Sequence, residues 1–271
     1  MKKQIIIFTD VDGTLLNHED YSFEDAKPAL NRIKQNQIPL IIVTSKTRKE
    51  VEVLQKELQI EEPFIVENGG GIFFPKKYSH FRLINCFSKE GYRVIQLGKS
   101  YEEIREFVEK VKDKFGITGF GDMTVEDVMK YTGLPYKKAK LAKEREFTEP
   151  FLIEDESKIP QLQKLAMEEG IKITKGGRFY HFIGVNQDKG KAVEITIKVF
   201  KENLNRDILS VGLGDSQNDI PMLKKVNIPV LISKPDGSYE KIEIPNLIKA
   251  PYPGSKGWNV AVNSILDKYS S

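Results

Sequence analysis

Two carboxylates two residues apart, Asp10 and Asp12, follow the apolar run Ile5-Ile6-Ile7-Phe8 and lead into Gly13-Thr14. The run reads as a buried strand, and an open α/β sheet binds its ligands beyond the C-terminal ends of its strands. Two acids so placed repel each other unless a cation or a proton lies between them. A second acidic group, Gly214-Asp215-Ser216-Gln217-Asn218-Asp219, follows another strand-like run at residues 208–213. Carboxylates delivered from two strand ends are what a Mg²⁺-dependent phosphoryl-transfer site requires.

In that chemistry Asp10 serves as nucleophile, and Asp12 reaches the leaving oxygen as general acid and afterwards activates water. Asp215 joins Asp10 and the backbone carbonyl of Asp12 around the ion, while Asp219 either reinforces that shell or orients Lys189. Residues 41–43 form another strand end, continuing into Thr44-Ser45-Lys46-Thr47. Ser45 is the first choice to bind a phosphate oxygen and Thr44 the alternative; a hydroxyl here also suits a helix N-cap. Asp188-Lys189-Gly190-Lys191 opens a helix, where Lys189 can neutralise the phosphate and the nucleophile. The plain alternative, two solvated lysines, sits badly with the positive end of the helix dipole.

The elements that must position these residues alternate strand and helix. Strands are expected at 4–9, 39–44 and 63–66, helices at 23–35 and 49–58, and a return strand at 72–74. The same rhythm resumes with helix 190–203, strand 208–213, helix 216–224 and strand 228–232. A Pro/Gly-rich loop at 250–255 precedes a closing helix at 257–268. Between these halves, residues 85–184 change character: strands at 92–97, 147–153, 171–174 and 179–183 mix with helices at 101–115, 125–131, 136–143 and 158–169. The organisation is α/β, a doubly wound parallel sheet over 1–84 plus 185–271, interrupted by an inserted α+β domain over 85–184.

Composition narrows the partners. Among 271 residues, 39% are hydrophobic and 30% charged, with a net charge of +3. So small a charge gives no support for nucleic-acid binding. No stretch approaches the roughly 18 apolar residues of a membrane helix. The single Cys86 excludes an internal disulfide framework and, without a recognisable signal segment, suits the cytoplasm. Oligomeric state is not legible.

The four segments around Asp10, Ser45, Lys189 and Asp215 resemble, in combination and order, the haloacid dehalogenase-like phosphatases. The resemblance implies a Rossmann-like core, Mg²⁺ as cofactor, an aspartyl-phosphate intermediate and a C2-type cap between the second and third segments. Along essentially the whole chain the sequence is similar to mannosyl-3-phosphoglycerate phosphatases. That similarity rests on Thr44-Ser45-Lys46-Thr47, Val66-Glu67-Asn68-Gly69-Gly70, Arg145-Glu146-Phe147-Thr148-Glu149, Gly176-Gly177-Arg178-Phe179-Tyr180-His181 and Lys256-Gly257-Trp258. It implies a phosphorylated glycosylglycerate substrate, mannosyl or glucosyl, bearing a phosphate, a carboxylate and a sugar.

On that basis Lys46, Thr47, Asn68, Gly69, Arg145, Glu146, Gly177, Arg178 and His181 are the expected substrate-binding residues. Arg178 can hold a carboxylate in a bidentate contact. Backbone N–H groups of Gly176-Gly177 or Asn68-Gly69-Gly70 can hold another anionic oxygen. Glu146 and Glu149 can accept sugar hydroxyls, and His181 can donate to either end. A surface ion pair for Arg145 and Glu146, and a structural role for His181, are the alternatives. Trp258 is expected to pack the last helix, and His18, His80 and Cys86 carry no assigned role. Another sugar-phosphate phosphatase or a phosphomutase fits the same fold, and a binding module without turnover is the reading from a different class.

Overall fold

Strand β1 (Gln4–Thr9) is apolar almost throughout because both of its faces are covered. Ile5 and Ile7 enter one buried cluster and Ile6 and Phe8 another, so a parallel strand packed by helices on both sides is its stable setting. The computed structural model describes residues 3–176 and 178–269. After β1 come α1 (Lys27–Gln35), β2 (Leu40–Val43), α2 (Arg48–Leu58), β3 (Phe64–Val66) and β4 (Gly71–Phe74), then the hairpin β5 (Phe87–Lys89) and β6 (Tyr92–Gln96). The cap carries α3 (Tyr101–Phe115), β7 (Ile117–Gly119), α4 (Val125–Thr132), α5 (Tyr136–Ala142), β8 (Thr148–Ile153), α6 (Ile159–Glu168), β9 (Ile171–Gly176) and β10 (Phe179–Gly184). The chain then returns through α7 (Lys189–Leu204), β11 (Ile208–Gly214), α8 (Ile220–Leu223), β12 (Ile228–Ser233), β13 (Ile248–Pro253) and α9 (Gly254–Tyr269).

The strands form a nine-stranded sheet in the order β13-β12-β11-β1-β2-β3-β4-β6-β5 and a four-stranded sheet in the order β7-β8-β10-β9. From β13 to β3 every neighbour is parallel, whereas β4, β6 and β5 add an antiparallel edge. Strand order reverses at β1, which lies between β2 and β11. The loops leaving the C-terminal ends of β1 and β11 therefore diverge there and open the crevice in which such sheets bind ligands. The cap is antiparallel, and Phe107, Phe151 and Phe182 centre its own core. This is the expected α/β architecture with an inserted α+β cap.

Three local expectations are corrected. The strand expected at 92–97 lies not in the insertion but in the main sheet, where β6 pairs with β4, and β5, for which no strand is expected, pairs with β6. The Pro/Gly-rich segment 250–255 was expected to be a loop. Most of it is β13, an edge strand where Pro251 and Pro253 cost no ladder bond on the open side, running directly into α9. Helix 216–224 shortens to a 3-10 turn, Gln217–Asp219, followed by the single turn of α8.

Candidate active site

The sequence folds so that one cation meets three acids at the switch point. Asp10 follows β1, and its N–H donates to the Leu213 carbonyl of β11 (2.9 Å), which fixes the two strand ends side by side. Lys189 is the first residue of α7, whose N-cap, Asp188, accepts from the Lys191 N–H (2.7 Å). The Lys189 Nζ lies 2.7 Å from Asp10 Oδ1 and 2.7 Å from Asp219 Oδ1. Lys189 is 1% exposed. Burial alone would lower its pKa, but the carboxylates of Asp10 and Asp219 outweigh that and raise it.

Asp10 and Asp215 also move up, which in an acid favours the neutral form. Burial first, and then the Asp219 charge, push Asp10 well above the usual carboxylate range despite Lys189. Asp215 is pushed up to about 6 by burial and Asp219, with His18 and Thr14 opposing. The Thr14 hydroxyl donates to Asp215 Oδ1 (3.3 Å), and His18 Nε2 lies 3.4 Å from Asp215 Oδ2. Gly13 is held at φ +74°, and a Cβ there would sit 2.6 Å from both Asp215 Oδ2 and His18 Nε2, so only glycine lets the β1 loop approach Asp215 this closely.

Asp10, Asp215 and Asp219 each offer an oxygen, all within 4.8 Å of one another. Asp12 Oδ2 is bound by Lys46 Nζ (2.8 Å), while its Oδ1 is buried without a hydrogen-bond partner among the described residues. An excess of buried carboxylate over cation, with an orphaned oxygen beside it, fits a hard divalent cation with oxygen ligands. Asp219 is the weakest member of that set. Its Oδ2 already accepts from the N–H groups of Asp215 and Ser216 (3.1 Å each), and its Oδ1 holds Lys189, so the orienting alternative describes its contacts better.

Across from these acids a cavity of about 590 Å³ separates core from cap. Ser45, Asn68, Lys189 and the loop 216–218 form its floor, and Lys172, Thr174, His181 and Ile183 of the cap sheet form its roof. Thr44 is buried and its hydroxyl accepts from the Lys46 N–H (3.2 Å), whereas Ser45 is half-exposed on the cavity. Of the two hydroxyls the sequence left open, Ser45 is the one facing open space. His181 lines the roof, and desolvation followed by the Arg145 charge lowers it to about 3.

Several expected substrate contacts are committed elsewhere. Thr47 is the N-cap of α2: its hydroxyl accepts from the Glu50 N–H (3.2 Å) and donates to the Leu141 carbonyl (2.9 Å), which leaves it fully buried. The N–H groups of Asn68, Gly69 and Gly70 donate to the carbonyls of Thr44 and Val66, so no anion can use them. Gly69 instead allows close approach: at φ +91°, a Cβ would lie 2.2 Å from the Asp188 carbonyl that precedes Lys189. Asn68 does reach the cavity, its Oδ1 accepting from Asn218 (3.3 Å). Lys46 binds Asp12 rather than lining this cavity.

In the cap, Arg145 donates to the Ser45 carbonyl (2.9 Å), a link between cap and phosphate-side loop. Glu146 is gripped by Arg48 (2.6 Å) and Lys89 (2.8 Å), and Glu149 is fully buried against Arg105 and Tyr101. Both are ion-pair partners within the fold rather than sugar ligands. Arg178 is exposed and donates to the Tyr131 carbonyl. Gly177 lies outside the described residues. Trp258 packs as expected, fully buried with its indole N–H on the Thr9 hydroxyl (3.0 Å).

Glu67 escaped sequence reasoning. It is fully buried at φ +50°, and its carboxylate accepts from the N–H groups of Glu146 and Phe147 (2.8 and 3.0 Å) and the Thr148 hydroxyl (2.7 Å). Gln187, on the other strand of the linker, donates to the Glu67 carbonyl. One core residue thus holds the start of cap strand β8 through its carboxylate and the returning connection through its carbonyl; the local signal was an acidic residue ahead of Asn-Gly-Gly.

Comparison with known proteins follows this geometry. The haloacid dehalogenase-like hydrolase family model matches residues 7–235. The chain is 62% identical over 264 residues to the glucosyl-3-phosphoglycerate/mannosyl-3-phosphoglycerate phosphatase of Persephonella marina, covering 97% of this chain and 98% of the relative. It is 46% identical over 267 residues to the protein of the same name from Methanococcoides burtonii, covering 97% of each. Among solved structures, a haloacid dehalogenase-like hydrolase from Bacteroides thetaiotaomicron shares the fold at a TM-score of 0.68 and 17% identity, over 98% of this chain and all of that one. With its acid cluster at the switch point and its cap above it, the chain belongs to the haloacid dehalogenase-like hydrolases.

Proposed function

We propose that this protein is a Mg²⁺-dependent phosphatase acting on mannosyl- or glucosyl-3-phosphoglycerate, releasing phosphate and the glycosylglycerate in the cytoplasm. The observation that carries the chemistry is Lys189 Nζ, 2.7 Å from both Asp10 and Asp219 at the floor of a cap-covered cavity. The substrate class is supported by near-complete similarity to phosphatases named for it. In this reading Asp10 attacks phosphorus, oriented by Lys189. Asp12, its Oδ2 held by Lys46, hands a proton to the departing glycerate oxygen and then takes one from water. Ser45 binds a phosphate oxygen. Asp10, Asp215 and the Asp12 backbone carbonyl would hold Mg²⁺, with Asp219 holding Lys189; when bound, the ion would neutralise charge on the transferring oxygens.

The cap excludes bulk water from this chemistry. We place its boundaries after β6 and before α7, since β5 and β6 belong to the main sheet. The test is phosphate release from both glycosyl-3-phosphoglycerates beside common sugar phosphates, with Mg²⁺ and with chelator. Chelator-sensitive turnover favouring the glycosyl-phosphoglycerates is expected. Equal rates across the panel, or full activity in chelator, would refute the reading.

A further inference from the structure

Three lysines line the cavity between core and cap: Lys172, Lys175 and Lys189. Lys189 is consumed by Asp10 and Asp219. Lys175 is exposed at the outer end, paired with Glu156 at 3.1 Å and bonded to the Tyr180 hydroxyl. Lys172 differs from both. It is half-buried, its ammonium donates only to the neutral carbonyl of Val185 (3.2 Å), and it has no carboxylate partner among the described residues. Burial lowers its pKa and Lys191 adds to that, with only Asp188 opposing. Asp188 itself is occupied in capping α7.

The register of the cap sheet aims this cation. His181 pairs with Thr174 and Ile183 with Lys172 across β9 and β10, so alternation puts all four on one face, and that face roofs the cavity. His181, kept neutral, can donate one hydrogen bond from its ring, and the Thr174 hydroxyl can donate another. A partly desolvated ammonium flanked by two neutral donors, with Asp188 and Glu240 on the cavity wall but neither in an ion pair with it among the described residues, is a receptor for an anion. In the phosphatase reading the Ser45 and Lys189 end of the same cavity takes the phosphate, so this is a second anion, displaced toward the cap.

We infer that Lys172, seconded by Thr174 and His181, binds the substrate carboxylate and so makes the enzyme selective for phosphate esters of a glyceric acid. The inference rests on the phosphatase reading above and replaces Arg178, which points to Tyr131, as the carboxylate partner. An enzyme so built distinguishes the acid from its uncharged carboxamide. Wild type should prefer the acid by about 10- to 100-fold in kcat/KM, the range of a charge-assisted hydrogen bond.

The experiment compares mannosyl-3-phosphoglycerate with its carboxamide analogue in wild type, Lys172→Met and Lys172→Arg. The acid-to-amide ratio should collapse toward one in Lys172→Met, through a raised KM for the acid, and should recover in part in Lys172→Arg. A wild-type ratio in Lys172→Met, or an equal loss on both substrates with the ratio intact, overturns the assignment. Failure of the parent reading looks different: wild type itself would then show no preference for the phosphoglycerate ester over plain sugar phosphates, before any variant is made.

Discussion

Asp215 should destabilise the metal-free protein at neutral pH, and replacing it with asparagine exposes how much. Asp215 is 4% exposed, and burial and then the Asp219 charge push its pKa up from 3.8 to about 6. Because the folded-state pKa is the higher one, the folded protein binds more protons than the unfolded chain between pH 4 and 6. Stability from this group is therefore fully present below pH 4 and is lost as pH rises through 6. A rise from 3.8 to about 6 corresponds to about 3 kcal/mol. Asn keeps the size and can still accept from Thr14, but it carries no charge at any pH.

The assay is urea unfolding of wild type and Asp215→Asn in chelator across pH 4 to 7.5. The stability of the variant relative to wild type should climb by about 3 kcal/mol over that window. Asp10 is raised by burial and Asp219 in both proteins and by the Asp215 charge in wild type alone, so losing that charge relieves Asp10 as well and adds to the difference in the same direction. Adding Mg²⁺ should close most of that gap. At about 100 times its dissociation constant an ion bound only by the folded state adds about 2.7 kcal/mol, and the variant lacks one of the carboxylates that would hold it. A pH-independent difference in chelator would refute the electrostatic argument, and equal Mg²⁺ stabilisation of both proteins would refute the ligand assignment.

Gly69→Ala should lower kcat well before it lowers solubility, because its Cβ would collide with the Asp188 carbonyl and displace Lys189; steady-state kinetics beside a thermal melt would separate this from general unfolding, and wild-type kcat would count against it. Glu67→Gln places an amide NH₂ opposite at least one of the donors from Glu146, Phe147 and Thr148. It should cost about 1–3 kcal/mol and raise KM through a loosened cap, measurable by calorimetry and initial rates, and wild-type values in both would show the clasp to be idle.

What the sequence made legible was local. Asp10, Lys189 and Asp215 announce themselves because each stands at the end of an apolar run or the start of a helix, positions the sheet topology brings to one edge. The cap contacts were misjudged for a physical reason. Residues 145–149 are expected to bind substrate from the resemblance, with an ion pair as the alternative for Arg145 and Glu146; Glu146 and Glu149 satisfy Arg48 and Arg105 across long sequence separations that no local spacing reveals. Thr47 carried a readable warning, since Thr47-x-x-Glu50 is the signature of a capping box and the structure forms one. Lys172 carried one too: in the Ile171-Lys172-Ile173-Thr174 alternation the apolar residues turn to the cap core and the polar ones away from it.

That division of labour follows from charge. Three carboxylates and one lysine leave the core floor negative, and a divalent cation there brings it only to neutrality. A doubly anionic ester with a third negative charge on its carboxylate still lacks an attractive partner on the floor, since Lys189 is shared between Asp10 and Asp219. The remaining positive charge lies on the cap, at Lys172 on the roof and at Arg145, whose guanidinium reaches the Ser45 carbonyl. Attraction for the whole substrate is therefore complete only when roof and floor face each other, and the same closure that supplies the charge expels the water that would screen it. Glu67, holding the start of β8 in the cap and the returning connection at Gln187 from the core side, sits where that closure is set.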